Sequence, residues 1–455
     1  MDFKQDSISA MSPELPPCDH TPAPYHGPSK TDLLARRKKV LNQGIFLLYK
    51  DPFMPVEGHM QYLWDETGRR YLDCFGGICT VSVGHCHPEV NAALIAQIQR
   101  IQHAPTCYLH PTVVEYAEKL AATFPDPLNR VYFVNSGSEA NDLAILMARL
   151  HTGHHEVLSL RNCYHGGNAV GMSLTSHSTW KYPVPPMPGF QHLKSPHPLW
   201  GPIPYDTPDA GKKYAEEVRD IIRFGTSGKV AAFIAEPIQG VGGSVPYPSD
   251  YLTHAYAHAR AAGGVCIADE VQTGFGRTGT NFWGFQNYDV VPDIVVMAKS
   301  IGNGFPLAAV VTTDAIAERM TERIHFNTFG GDSLAMAQGM ATLDIMLRDN
   351  TMGHCKTMGE QLLTGLAKLK DKHPIIADVR GSGLMLGVEF VLNGEPASAF
   401  TADFFERCKD HGLIIGKGGL AGSVIRIKPP MCLSPADADF LLEVFDTVLT
   451  ELSAS

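Results

Sequence analysis

Val265-Cys-Ile-Ala-Asp269-Glu-Val-Gln272 and, beyond a glycine-rich turn, Ile294-Val-Val-Met-Ala-Lys299-Ser-Ile-Gly302-Asn-Gly304-Phe-Pro306 are two short apolar runs that each finish at a charged residue. Short apolar runs bounded by glycines read as buried strands of a parallel sheet, and ligands of such sheets bind at the carboxyl ends of the strands. Asp269 and Lys299 are therefore expected to face one crevice.

A lysine desolvated in a crevice loses its proton readily and becomes an amine able to form a Schiff base with an aldehyde. A carboxylate held against a pyridine nitrogen keeps that nitrogen protonated, since opposite charges about 4 Å apart attract by about 4 kcal/mol at an effective dielectric of about 20. The protonated ring then withdraws electrons from a carbanion on the substrate, which is the chemistry of pyridoxal phosphate. An ordinary ion pair, or two solvated strand ends, would use the same residue types, so the rest of the chain has to decide.

The chain has 455 residues, 44% hydrophobic and 18% charged, as expected of a soluble globular protein with two domains or one large domain and an appendage. With a formal charge of -10 and no basic stripe beyond Arg36-Arg-Lys-Lys39, nucleic acid is not an expected partner. Ten cysteines without CxxC repeats suggest neither a zinc site nor a disulfide framework, and favour a reducing compartment. No apolar stretch approaches membrane-spanning length. Residues 1–30 carry Asp2, Asp6, Glu14 and several prolines but no arginine, unlike a signal or mitochondrial presequence. They read as a flexible arm, and the compartment as cytoplasmic, with mitochondria the alternative if a presequence has been removed.

Residues 31–48 read as a helix and residues 60–75 as a small antiparallel sheet turning at Glu66-Thr-Gly68. His85 and His87 lack a third ligand at zinc-like spacing, so no metal is expected, and Pro88 opens a helix running to about Ile101. Residues 130–134 form the first strand of the main sheet and lead into Asn135-Ser136-Gly137-Ser138-Glu139-Ala-Asn141. Ser136 and Glu139 have capping-box spacing, and Leu143, Leu146, Met147 and Leu150 share one helical face up to Gly153. A helix start with small residues and free amides suits a phosphate; a plain capped helix is the alternative.

Residues 157–160 form a second strand, followed by Tyr164-His165-Gly166, whose aromatic ring either stacks on a planar ligand or fills the core. From 176 to 211 prolines are dense and the stretch reads as a long loop, a lid or a subunit contact. A third strand closes on Glu236, and residues 307–312 supply another. Gly274-Phe-Gly276-Arg-Thr-Gly279 matches GxGxxG, but no helical face follows, so a dinucleotide is not expected. The C-terminal third changes texture: helices over 334–347 and 359–369, a run over 376–390, a strand over 424–428 carrying Arg426, and a last helix capped by Ser434.

In order along the chain, Gly84-His-x-His87-Pro88, the Asn135 to Asn141 run, Tyr164-His-Gly166, Glu236-Pro-Ile-Gln-Gly240, the Ala268 to Gly279 run, Ala298-Lys299, Thr328-Phe-Gly-Gly331 and Arg380-Gly-Ser-Gly-Leu384 resemble the class III (omega-type) pyridoxal-phosphate aminotransferases, and among them the alanine-glyoxylate aminotransferase 2 group. The resemblance covers nearly everything from Lys30 onward. It implies an α/β protein of fold type I. A large domain, residues 76–313, would hold pyridoxal 5'-phosphate on a mostly parallel seven-stranded sheet. A smaller α+β domain would combine residues 31–75 with 314–455. It also implies a homodimer with the active site at the interface, or a tetramer.

Residue by residue, the resemblance implies that Lys299 binds the cofactor aldehyde and moves the proton between substrate carbon and cofactor. Asp269 would pair with the pyridine nitrogen, Gln272 lie near the ring hydroxyl and Tyr164 stack on the ring, with His165 beside it. Ser136, Gly137 and Ser138 would bind phosphate, joined by Thr328 of the other subunit. Arg426 would clamp the substrate carboxylate, a bidentate task lysine does poorly. Glu236 would join the cofactor set and pair with Arg426 when an amine enters by its far end, and Gly77 would line the substrate side.

Two departures stand out: Gly76-Gly77 where the family more often has Ser-Gly, and Gly331-Asp332-Ser333 where it usually has Gly-Asn-Pro, which puts a carboxylate near Thr328. The expected activity is amino-group transfer from alanine, or a related short or omega amine, to glyoxylate or pyruvate by a ping-pong mechanism. The rivals are a lyase or decarboxylase on the same scaffold and a catalytically silent cofactor-binding dimer.

Overall fold

The computed structural model describes residues 13–454. Seven strands make the main sheet: β1 (Arg130–Val134), β2 (Val157–Leu160), β3 (Phe190–Leu193), β4 (Ala232–Ala235), β5 (Val265–Asp269), β6 (Ile294–Met297) and β7 (Ala308–Thr312). Their order is β1-β7-β6-β5-β4-β2-β3, and β7 alone runs against the rest. The expected mostly parallel seven-stranded sheet is therefore what forms. Residues of β5 and β6 alternate between two apolar clusters, Ile267 and Val296 packing on one face, Ala268 and Val295 on the other. Both faces are covered, so every position can be apolar.

The helix Gly137–Thr152 lies on one face and ends at Gly153 in the left-handed conformation. Its contact stripe differs from the expected one. Leu143 and Met147 are buried, but Leu146 and Leu150 are 48% and 46% exposed. Ala140, Ala144 and Ala148, fully buried at spacings of four, let the helix approach the sheet closely.

The 176–211 stretch is not all loop. It contains edge strand β3, paired parallel with β2, and the helix Ala210–Gly225 begins at its end. Four residues set among prolines carry little periodicity, and only the neighbouring strand reveals them. The helix expected over 31–48 spans Lys30–Val40, capped by Ser29, whose Oγ accepts from the Asp32 amide at 3.1 Å. It buries no residue and so has no apolar stripe to extend it; Ile45, Phe46, Leu47 and Leu48 follow as exposed irregular chain.

The N-terminal strands Pro55–His59, Tyr62–Asp65 and Arg70–Asp73 share a sheet with Leu413–Ile414, which pairs parallel with Arg70–Asp73. The N-terminal segment and the C-terminal third are thus joined through one sheet. The expected arm of residues 1–30 lies outside the described residues up to position 12. Further on, Arg70 donates to the Pro16 carbonyl at 2.6 Å, the Ala23 amide donates to Glu57 at 2.9 Å and His20 stacks on His59. The run over 376–390 is a hairpin of Ile376–Ser382 and Met385–Leu392, continued antiparallel by Val424–Ile427 and Gly416–Gly418. The glycine-rich run at 274–279 turns without starting an α-helix.

Candidate active site

Six strands point the same way, and a cavity of about 190 Å³ opens where β1, β2, β4, β5 and β6 end. Lys299, Asp269, Gln272 and Glu236 line it, as do Tyr164, His165, Gly137 and Ser138.

Asp269, the last residue of β5, is 3% exposed. Its Oδ2 accepts from Asn141 Nδ2 at 2.9 Å and lies 2.7 Å from His165 Nδ1, while Oδ1 accepts from the Val271 amide at 3.1 Å. Donors at both oxygens fix the carboxylate in place. Against the cost of burial, Cys163 and the Asp269 carboxylate raise the His165 imidazole well above its ordinary range.

Beyond β6, Lys299 adopts φ 55°, a left-handed conformation that non-glycine residues rarely take and that costs about 1–3 kcal/mol. No described side chain hydrogen-bonds or ion-pairs its amine. Burial, with help from the Arg426 charge, pushes that amine below the usual lysine range, while Cys79, Asp269 and Glu236 pull the other way. The free base, the form that attacks an aldehyde, is thereby brought within reach.

After β1, Ser136 Oγ accepts from the Glu139 amide at 3.2 Å. The Glu139 carboxylate reaches one residue further back than a capping box requires, accepting from the Asn135 amide at 3.0 Å. The Gly137 and Ser138 amides are left for an outside acceptor. Gly166 closes over them, since an added Cβ would stand 2.5 Å from Ser138 Oγ. A cavity with an anion cradle, an unpaired amine and a fixed carboxylate on its walls fits pyridoxal 5'-phosphate.

Four expected site residues stand outside this cavity. Ser136 only caps the helix, and Thr328 and Gly77 are exposed. Arg426, 6% exposed, lies over the Phe75 ring and donates to the Lys417 carbonyl at 2.9 and 3.1 Å and the Gly240 carbonyl at 3.4 Å. Burial pushes its guanidinium down to about 10. Among the described residues Glu236 and Arg426 are not paired, the pairing being expected only when an amine enters by its far end. The Glu236 oxygens accept instead from the Tyr164 amide at 3.1 Å and the Gly240 amide at 2.7 Å.

Asp332, the unexpected carboxylate, caps the helix Ser333–Arg348 through the Leu334 amide at 3.1 Å and pairs with His103 at 2.6 Å. His85 pairs with Asp73 at 2.8 Å, and no metal-binding cluster is found among the described residues.

Two participants escaped the sequence reading. Asn141 lies four residues after Gly137 and so on the same helix face. Lys428 lies two residues after Arg426, the spacing that returns a side chain to the same face of a strand. It donates to Gln272 Oε1 at 2.7 Å.

The model of the class III aminotransferase family matches residues 49–449. A relative from Arabidopsis thaliana named alanine-glyoxylate aminotransferase 2 homolog 2, mitochondrial, is 48% identical over 96% of this chain and 91% of its own. The Homo sapiens alanine-glyoxylate aminotransferase 2, mitochondrial, is 43% identical over 96% and 90%. Among solved structures, an Arthrobacter phospholyase in complex with phosphoethanolamine superposes with a TM-score of 0.87 at 33% identity, covering 92% of this chain and 99% of the other. By a match that spans nearly its whole length, this chain belongs to the class III aminotransferases, enzymes dependent on pyridoxal phosphate.

Proposed function

We propose that the protein transfers the amino group of alanine, or of a related short or omega amine, to glyoxylate or pyruvate in two half-reactions. The observation that carries this reading is the shared cavity of Lys299 and Asp269 beside the helix start at Gly137. Bound there, pyridoxal phosphate supplies an aldehyde that accepts amino groups and a ring that withdraws electrons.

The rest of the work falls to this chain. Asp269, held by Asn141 and His165, would hold the proton on the ring nitrogen, and Tyr164 would lie against the ring. The Gly137 and Ser138 amides would hold the phosphate, with Thr328 of a second copy. Lys299, as a free amine, would take the proton from the substrate carbon and hold it for return. Arg426 orients the substrate carboxylate. Lys299→Ala is expected to abolish the visible absorbance of the bound cofactor and to lower turnover by about 10⁴-fold or more. Retention of both would end the proposal.

The phospholyase neighbour, at 33% identity, supports a second reading, elimination of phosphate from a phosphorylated amine. Relatives at 43% and 48% identity named as aminotransferases favour transfer. Assaying keto-acid product against released phosphate separates the two. A single half-reaction with alanine, followed by the spectral change, separates both from a silent binding protein.

The assembly is read as a homodimer: Ile324, Phe326 and Phe329 are more than half exposed around Thr328, a surface a second copy would cover. The large domain is read as residues 76–313, the small one as 31–75 with 314–455. The relatives' names favour mitochondria over the cytoplasm as the compartment. Imaging the full chain with a C-terminal fluorescent tag decides between them.

A further inference from the structure

Lys428 is fully buried just beyond the strand Val424–Ile427. Its amine donates to Gln272 Oε1 at 2.7 Å and to the Gly240 carbonyl at 3.3 Å. The same Gly240 carbonyl accepts from Arg426, and the Gly240 amide donates to Glu236. Gly240 also confines Gln272: a Cβ there would come within 2.3 Å of Gln272 Nε2. The Gln272 amide is thus wedged by backbone on one side and tethered at its oxygen on another.

The Lys428 amine donates to both contacts, which places Gln272 Oε1 toward it and leaves the Nε2 donors for other partners. The Gln272 Nε2 donors have no hydrogen-bond partner among the described residues, and Gln272 lines the cavity. A lysine buried without a carboxylate partner is costly, and burial, then Arg426 and Lys299, depress its amine well below the ordinary lysine range. Cys79 and Glu236 face it with the opposite effect. Packing alone would be served better by an apolar side chain, so the amine calls for a reason.

We propose that Lys428 is a positioning residue: by holding Gln272 Oε1 it aims the Gln272 amide donors at the ring-hydroxyl side of the bound cofactor. The inference rests on the cofactor reading of the cavity and adds a member from the substrate side to the groups that set the cofactor's proton affinity.

The test uses full-length protein loaded with pyridoxal 5'-phosphate. It follows the visible absorbance against pH, cofactor dissociation by fluorescence, and the melting midpoint of the cofactor-free form. Losing a donor near the ring oxygen makes that oxygen more basic, so Lys428→Met is expected to raise the pH midpoint of the absorbance by about one unit. Cofactor binding should weaken about tenfold. Lys428→Gln, which keeps a donor for Gln272 Oε1, should restore most of both. Gln272→Ala should shift the midpoint the same way, and adding Lys428→Met to it should change little further.

A midpoint unmoved by Lys428→Met while the cofactor-free protein melts earlier would mean a packing role and overturn the inference. So would additive effects of the two substitutions. Gln272→Ala carries the test if Lys428→Met fails to fold, since an unmoved midpoint there also overturns it. Failure of the wild type to bind the cofactor would be a different result, ending the reading of the cavity itself.

Discussion

Asp269 and Glu236 stand at or just past the ends of neighbouring parallel strands, with backbone amides or side-chain donors on both oxygens of each carboxylate. Arg426 and Lys428 form a second wall beyond the lining of the active-site cavity: Arg426 donates to the main-chain carbonyls of Lys417 and Gly240, Lys428 to Gln272 and Gly240, and the Lys428 carbonyl lies against the turn at Gly76–Cys79. The first wall is a sheet edge, in which position follows from strand length and each strand delivers one group. The second is assembled from segments more than 300 residues apart in the chain. Chemistry common to every substrate suits the stiff wall; the selection of one substrate suits the wall made of turns and a second sheet.

The most damaging way to probe this contrast is on the stiff wall. Asp269→Asn keeps an oxygen for Asn141 but removes the charge that holds a proton on the ring nitrogen. Turnover is expected to fall by about 10²–10³-fold with every amine tested, carboxylated or not. A loss confined to amino acids would mean that Asp269 acts on the substrate, and the division between the walls would fail.

On the second wall the effect should depend on the substrate. Arg426→Lys keeps the charge but loses the fork that grips a carboxylate. KM for alanine is expected to rise about 10- to 100-fold with kcat changed little, while an amine lacking a carboxylate shows no change. Equal losses for both classes would place Arg426 in the cofactor's service.

How far each wall is legible in the chain follows from the same contrast. Asp269, Lys299 and Glu236 can be found because a buried strand is a local pattern and the charge that ends it interrupts that pattern. The seven-stranded sheet is legible for this reason, apart from β3, whose four residues are recognisable only by their pairing with β2. The second wall depends on contacts that no local period encodes. That Gly240 would separate Glu236 from Arg426, or that Lys428 would reach Gln272, follows from two sheets meeting. The exposed Leu146 and Leu150 show the converse error, an apolar spacing read as a buried face although alanines make the contact.

Glu270 offers a finer test, because it follows Asp269 directly yet faces away from the cavity. It is buried, accepting from Thr273 Oγ1 at 2.5 Å and from the Gly284 and Phe285 amides at 2.9 and 2.7 Å. Burial pushes its carboxyl up to about 7, the three donors opposing. A folded-state value above the unfolded one means that the native protein binds this proton more tightly, so stability falls as pH rises from about 4.5 to about 7. Glu270→Gln should remove that slope, roughly 1–3 kcal/mol across the window, measured by denaturant unfolding of the cofactor-free protein at several pH values. An unchanged slope would show that the three donors outweigh burial.

The smallest expected effect lies in the turn of the substrate wall. Gly76, Gly77, Ile78 and Cys79 have φ of 57°, 58°, 67° and 63°, one left-handed turn containing a β-branched residue. Asp73 Oδ1 accepts from the Phe75 and Gly76 amides at 2.9 and 2.8 Å, and the Thr80 amide closes on the Gly76 carbonyl at 2.8 Å. At Gly76 an added Cβ would meet the Lys428 carbonyl at 3.0 Å. Gly76→Ala therefore adds both a strained φ and pressure on the segment that carries Lys428, at about 1–2 kcal/mol of stability. Gly77→Ala, where an added Cβ meets nothing closer than 4.0 Å, carries only the conformational part and serves as the control. If the turn helps set the substrate wall, Gly76→Ala should also raise KM for alanine by a few fold more than Gly77→Ala does, with the absorbance of the bound cofactor unchanged in intensity. Equal KM values in the two variants would reduce the turn to scaffolding and leave Arg426 and Lys428 positioned by their own sheet alone.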